Sequence, residues 1–127
     1  MRDQRQRRRE GAVSGELEWR DVCAIDEVLP GSGLAVQVDG EQIAIVRTRS
    51  GMLAALSNFD PFSNAAVIAR GVVEERTGVP KITSPIYQQS FCLETGACLE
   101  DGSVQLVVYP SRVADGRIEV ARLSRPR

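Results

Sequence analysis

From Leu17 to Val120 the apolar residues fall in short alternating runs, separated by Gly, Pro and Asp-Gly turns at intervals of about 8–12 residues. Leu17-Glu-Trp-Arg-Asp-Val-Cys23 alternates apolar with polar positions, the pattern of a half-buried strand. Ala24-Ile-Asp-Glu-Val-Leu29 predicts a brief helical turn ahead of Pro30-Gly31. Leu34–Val38 and Gln42–Val46 then meet across Asp39-Gly40, a favoured hairpin loop because both central residues need positive φ. This register sets Val36 opposite Ile43 and Leu34 opposite Ile45, all on one face. Met52–Leu56 predicts a further strand after Gly51. A second hairpin over Asp115-Gly116 pairs Val113 with Ile118 and Arg112 with Glu119. Val104–Tyr109 is strongly β-prone and ends at Pro110. Ala65–Ala69 has room for one helical turn at most, and Val72–Val79 reads as a hairpin or loop insert with solvated Glu74 and Glu75. The pattern predicts an all-β antiparallel sandwich or barrel.

Residues 1–15 lack periodicity and are rich in Arg, Gln, Glu and Gly, which predicts a disordered basic arm. One domain is expected over 16–123, followed by a short tail at 124–127. Five arginines face two acids in residues 1–10, although the whole chain carries a net charge of −1. The body has no basic patch interleaved with aromatics, so nucleic acid is not the expected partner and the arm reads as a solvated tail. No run approaches the roughly 18 apolar residues of a membrane span. The charged N-terminus has no apolar segment behind it, which argues against a secretory signal and for a cytoplasmic protein.

Candidate chemistry is defined by an absence: the chain has no histidine. Its three cysteines, Cys23, Cys92 and Cys98, show no metal-binding spacing, and the odd count suits a reducing compartment. Cys92 and Cys98 flank a turn and could face each other, but free thiols are the expected state. No Gly-rich phosphate loop follows a strand, so the chain alone is not expected to hold NADH or FAD.

The stretch Ser84-Pro-Ile-Tyr-Gln-Gln-Ser-Phe-Cys-Leu-Glu-Thr-Gly96 resembles the second ligand loop of Rieske iron–sulfur domains, Cys-x-x-His-Gly running into an aromatic strand and a Thr-Gly turn. On that resemblance Ser84 takes the cysteine place, Tyr87 the histidine place and Gln88 that of the glycine. The first ligand loop, Cys-x-His, maps onto Asn58–Asn64. There Asp60 and Phe62 replace the ligands, with the register open by one residue, and Gly71 matches the glycine that follows. A Rieske cluster needs two thiolates on one iron and two imidazoles on the other. The resemblance therefore implies the fold, with a small two-loop subdomain at the former cluster site, and no metal.

The particular replacements, Asp60-Pro-Phe-Ser63 and Ser84-Pro-Ile-Tyr87, are similar to those in the small subunit of assimilatory NADH-dependent nitrite reductase, a likeness spanning about residues 17–121. It implies an accessory subunit without a cofactor of its own. Its partner would be a large subunit carrying FAD, an iron–sulfur cluster and siroheme, which reduces nitrite to ammonia. The alternative is a Rieske-like interaction module of another oxidoreductase complex.

Phe59, Phe62, Tyr87 and Gln88 are the candidate docking residues at the tip of these loops. The competing expectation is that Phe59, Phe62 and Tyr87 fill the volume of a cluster; one ring facing inward and another outward would satisfy both. Asp60, Ser84 and Tyr87 are not expected to form an acid–base set, because no imidazole is present to act near neutral pH. Asp60 before Pro61 and Ser84 before Pro85 read as turn residues.

Overall fold

The computed structural model describes residues 17–75 and 78–123, and the backbone alone at Leu123. The expected N-terminal arm and C-terminal tail lie outside the described residues.

The first sheet holds β1 (Leu17–Ala24), β12 (Arg117–Leu123) and β11 (Ser111–Ala114), in the order β1-β12-β11. The second is four-stranded, ordered β10 (Val108–Tyr109), β4 (Leu53–Ser57), β3 (Glu41–Arg47) and β2 (Ser32–Val38). Both Asp-Gly hairpins form in the expected register, with Val36 opposite Ile43, Leu34 opposite Ile45 and Val113 opposite Ile118. Asp39 and Gly40 have φ of 51° and 86°, Asp115 and Gly116 of 53° and 75°, so both loops carry the positive φ pair of a type I′ turn.

Strand β3 is buried on both faces. Ile43 and Ile45 join Cys23, Val28, Ile118 and Val120 in a core between the two main sheets. The alternating Ala44 and Val46 face a second core with Leu56, Ile68, Ile82, Phe91, Leu93 and Leu106. A strand covered on both sides needs a continuous apolar run, which Ile43–Val46 supplies.

The second core supports a subdomain of two small sheets. β5 (Phe59–Asp60) pairs with β6 (Ala65–Ala66). β7 (Val72–Glu74), β8 (Lys81–Thr83) and β9 (Ser90–Cys92) form an antiparallel meander. Two 3₁₀ turns, Ile25–Glu27 and Ile68–Arg70, complete the elements. Among the described residues no helix is long and apolar enough to cross a membrane.

Three local expectations are corrected. Only Val108–Tyr109 of the 104–109 run is strand. Its earlier backbone groups bond to separate segments: Val104 O accepts from Cys98 N at 2.9 Å, Leu106 N donates to Gly96 O at 2.9 Å and Val107 O accepts from Ser57 N at 2.9 Å. Glu75 does more than face water, because its carboxylate accepts from Ser50 N at 2.9 Å and Ser50 Oγ at 2.7 Å. Glu74 likewise meets Lys81 at 3.7 Å.

Candidate functional site at the paired loops

The first loop runs from Asn58 through the β5–β6 hairpin. Asn58 is buried, and its Oδ1 accepts from Ala69 N at 2.7 Å while its carbonyl accepts from Ile68 N at 3.1 Å. Its own N–H donates to Gln42 O at 3.0 Å. One residue, through its backbone and its side chain, thus fastens the loop to β3 below and to the following 3₁₀ turn. The sequence signal, an Asn at the end of an apolar strand, does not distinguish this anchor from an ordinary turn residue.

The second loop, residues 84–89, connects β8 to β9. It closes through Ser84 N to Gln89 O at 2.9 Å and is braced by the Thr83 and Ser90 hydroxyls at 2.8 Å. Gln88, at the expected glycine place, has φ of 62° and keeps the left-handed conformation despite its side chain. Gly71 lies against the base of the same loop, where a Cβ would run into the Thr83 carbonyl.

Asp60 and Ser84 are buried and bonded to each other: Ser84 Oγ donates to Asp60 Oδ2 at 2.5 Å. The other carboxylate oxygen accepts from Phe62 N at 2.9 Å and Ser63 N at 3.4 Å. Burial alone would raise the Asp60 pKa, but the Ser84 hydroxyl and the Phe62 and Ser63 donors hold it below its ordinary value. A charge shielded from water is retained because directed donors replace its hydration. Asp60 ends β5 and Ser84 follows β8, each immediately ahead of a turn, and together they tie one loop to the other.

The aromatic positions diverge. Phe62 packs partly buried against the second core, its ring centroid 6.2 Å from that of Phe91. Tyr87 points outward at 62% exposure, with Ile86 at 45% and Phe59 at 44% beside the loops. Gln88 is exposed as well. The loops thus combine an inward ring with an apolar outer tip, and Tyr87 joins no constellation with Asp60 and Ser84.

A [2Fe–2S] centre of Rieske type takes two thiolates and two imidazoles. The chain has no histidine, and all three cysteines are buried, outside both loops. At the loop positions facing each other stand a carboxylate and a hydroxyl already joined by a hydrogen bond. Among the described residues no group of three His, Cys, Asp or Glu could hold a metal ion. These residues do not fit that cluster.

A family model described as the Rieske-like [2Fe–2S] domain matches residues 18–121. The NADH nitrite reductase small subunit of Salmonella typhimurium is 39% identical over 104 residues, covering 81% of this chain and 96% of that one. A crystal structure from Mycobacterium tuberculosis, described as an NADH-dependent nitrite reductase small subunit, superposes with a TM-score of 0.81 at 45% identity, covering 86% of this chain and 98% of that chain. A Klebsiella oxytoca nitrite reductase [NAD(P)H] large subunit contains a segment 29% identical over 102 residues, which covers 80% of this chain and 11% of that protein. The chain belongs to the Rieske-like family and, within it, to the NADH nitrite reductase small subunits.

Proposed function

We propose that this chain is a cluster-free accessory subunit that binds the large subunit of a cytoplasmic NADH-dependent nitrite reductase, in the assimilatory reduction of nitrite to ammonia. FAD, an iron–sulfur cluster and siroheme would reside on the large subunit. The observation that carries this reading is the pair of loops. Ser84 and Asp60 close them internally, while Phe59, Ile86, Tyr87 and Gln88 remain exposed. Loops fixed on a rigid sheet are suited to recognition, and exposed aromatic side chains are frequent anchors at interfaces. The related segment within the Klebsiella large subunit supports a working association between this domain and the large-subunit machinery. Affinity purification of the full chain from cells grown on nitrate as sole nitrogen source tests the reading. Recovery of a siroheme-containing flavoprotein supports it; recovery of a different oxidoreductase contradicts it.

A further inference from the structure

A cleft of about 410 Å³ opens beside the loop tip, where the start of β3 and the end of β4 meet β10 and the β5–β6 hairpin. Glu41, Gln42, Ser57, Phe59, Ala66 and Tyr109 line it, and none of them is cationic. Glu41 is fixed rather than free to swing: Oε1 accepts from the Tyr109 hydroxyl at 2.7 Å and Oε2 from Arg122 Nη2 at 3.1 Å. Arg122 also reaches Asp39 at 3.5 Å, so its charge is shared between two carboxylates.

The remaining polar groups add acceptors. Gln42 Oε1 takes only a long bond, 3.3 Å, from Asn58 Nδ2, and Ser57 Oγ accepts from Phe59 N at 3.2 Å. Two rings, Phe59 and Tyr109, complete the lining. A carboxylate held in place, acceptors beside it and aromatic faces match a planar guanidinium, which donates in a fork and stacks on rings. A compact ammonium would use the charge but not the flat walls.

We propose that this cleft receives an arginine side chain of the nitrite reductase large subunit, with Glu41 as its carboxylate partner. This rests on the proposed association and assigns it a specificity-determining contact. Phe59 belongs to both the tip and the cleft, making the two parts one continuous face.

The test is calorimetric titration of the full-length chain into purified large subunit across a range of ionic strength. Glu41→Gln should weaken association about 30-fold and flatten its salt dependence, as loss of a desolvated charge partner does. Glu41→Arg should weaken it further; Glu41→Gln should melt close to the parent because its amide oxygen still accepts from Tyr109, whereas Glu41→Arg sets a second guanidinium beside Arg122 and should melt slightly lower. Blocking the arginines of the large subunit with phenylglyoxal should abolish the difference between the parent and Glu41→Gln. Parent-like binding by both Glu41 variants overturns the cleft assignment but leaves the proposed partner standing. Absence of binding by the parent chain overturns both.

Discussion

Ser84 Oγ donates a 2.5 Å hydrogen bond to Asp60 Oδ2 across two loops, both residues shielded from solvent. A single hydroxyl–carboxylate contact joins the loops, and the hairpin N–H groups of Phe62 and Ser63 complete the carboxylate's shell.

The two residues should therefore be energetically coupled. Ser84→Ala leaves a buried carboxylate short of a donor, and Asp60→Asn replaces an acceptor oxygen by a donor amide. Each should cost about 1–3 kcal/mol. In urea denaturation, a double-mutant cycle should give a coupling of roughly 1–2 kcal/mol. Additive effects would show that the contact does not hold the loops.

Asp60 also sets an acid limb on stability. Its folded pKa lies below the ordinary 3.8, so its contribution is fully present above that value and is lost as pH falls through the lower folded pKa. Glu75, Glu100 and Asp101 share that direction and will add to the parent's acid slope. The expected signature is a difference: the stability gap between parent and Asp60→Asn narrows below about pH 4 in denaturant titrations. A pH-independent gap would contradict it.

Gln88 holds φ of 62° where a glycine would be unstrained. A left-handed non-glycine residue costs roughly 1–2 kcal/mol, and added unfolded-state freedom returns part of that on mutation to glycine. Gln88→Gly should raise stability by about 0.5 kcal/mol in chemical denaturation. A clear destabilisation would place an unrecognised favourable contact on the Gln88 side chain.

The cysteines supply a check on the cores. Cys23, Cys92 and Cys98 are free and buried, at 4%, 8% and 2% exposure. Ellman's reagent should react slowly with the native protein and titrate three thiols after unfolding. Fast reaction of Cys92 or Cys98 in the native state would mark local opening of the subdomain, and of Cys23 opening between the two main sheets.

Legibility in the sequence followed the range of the interactions. The two Asp-Gly hairpins were readable because turn chemistry and alternating pattern act within a dozen residues and agree. Val104–Val107 carries high β propensity, but two separate segments, residues 96–98 and the end of β4, take its backbone bonds, and propensity does not encode that choice. Asp60 and Ser84 each looked like a local turn former, and only the packing of the second core brings them together. The same holds for Asn58, whose partners are set by the chain's path. Of the aromatic positions, sequence allowed both filling and docking. The second core takes Phe62, while Tyr87 stays in solvent.

That division yields the most direct measurement of the central claim. Tyr87→Ala and Phe62→Ala should be compared in melting temperature and in calorimetric titration against the purified large subunit. Phe62→Ala should lose about 2–3 kcal/mol of stability, below the full cost of a buried Phe because the ring is only partly covered. Tyr87→Ala should melt like the parent yet lose most of its affinity for the large subunit. Parent-like binding by Tyr87→Ala would contradict a docking role for the loop tip.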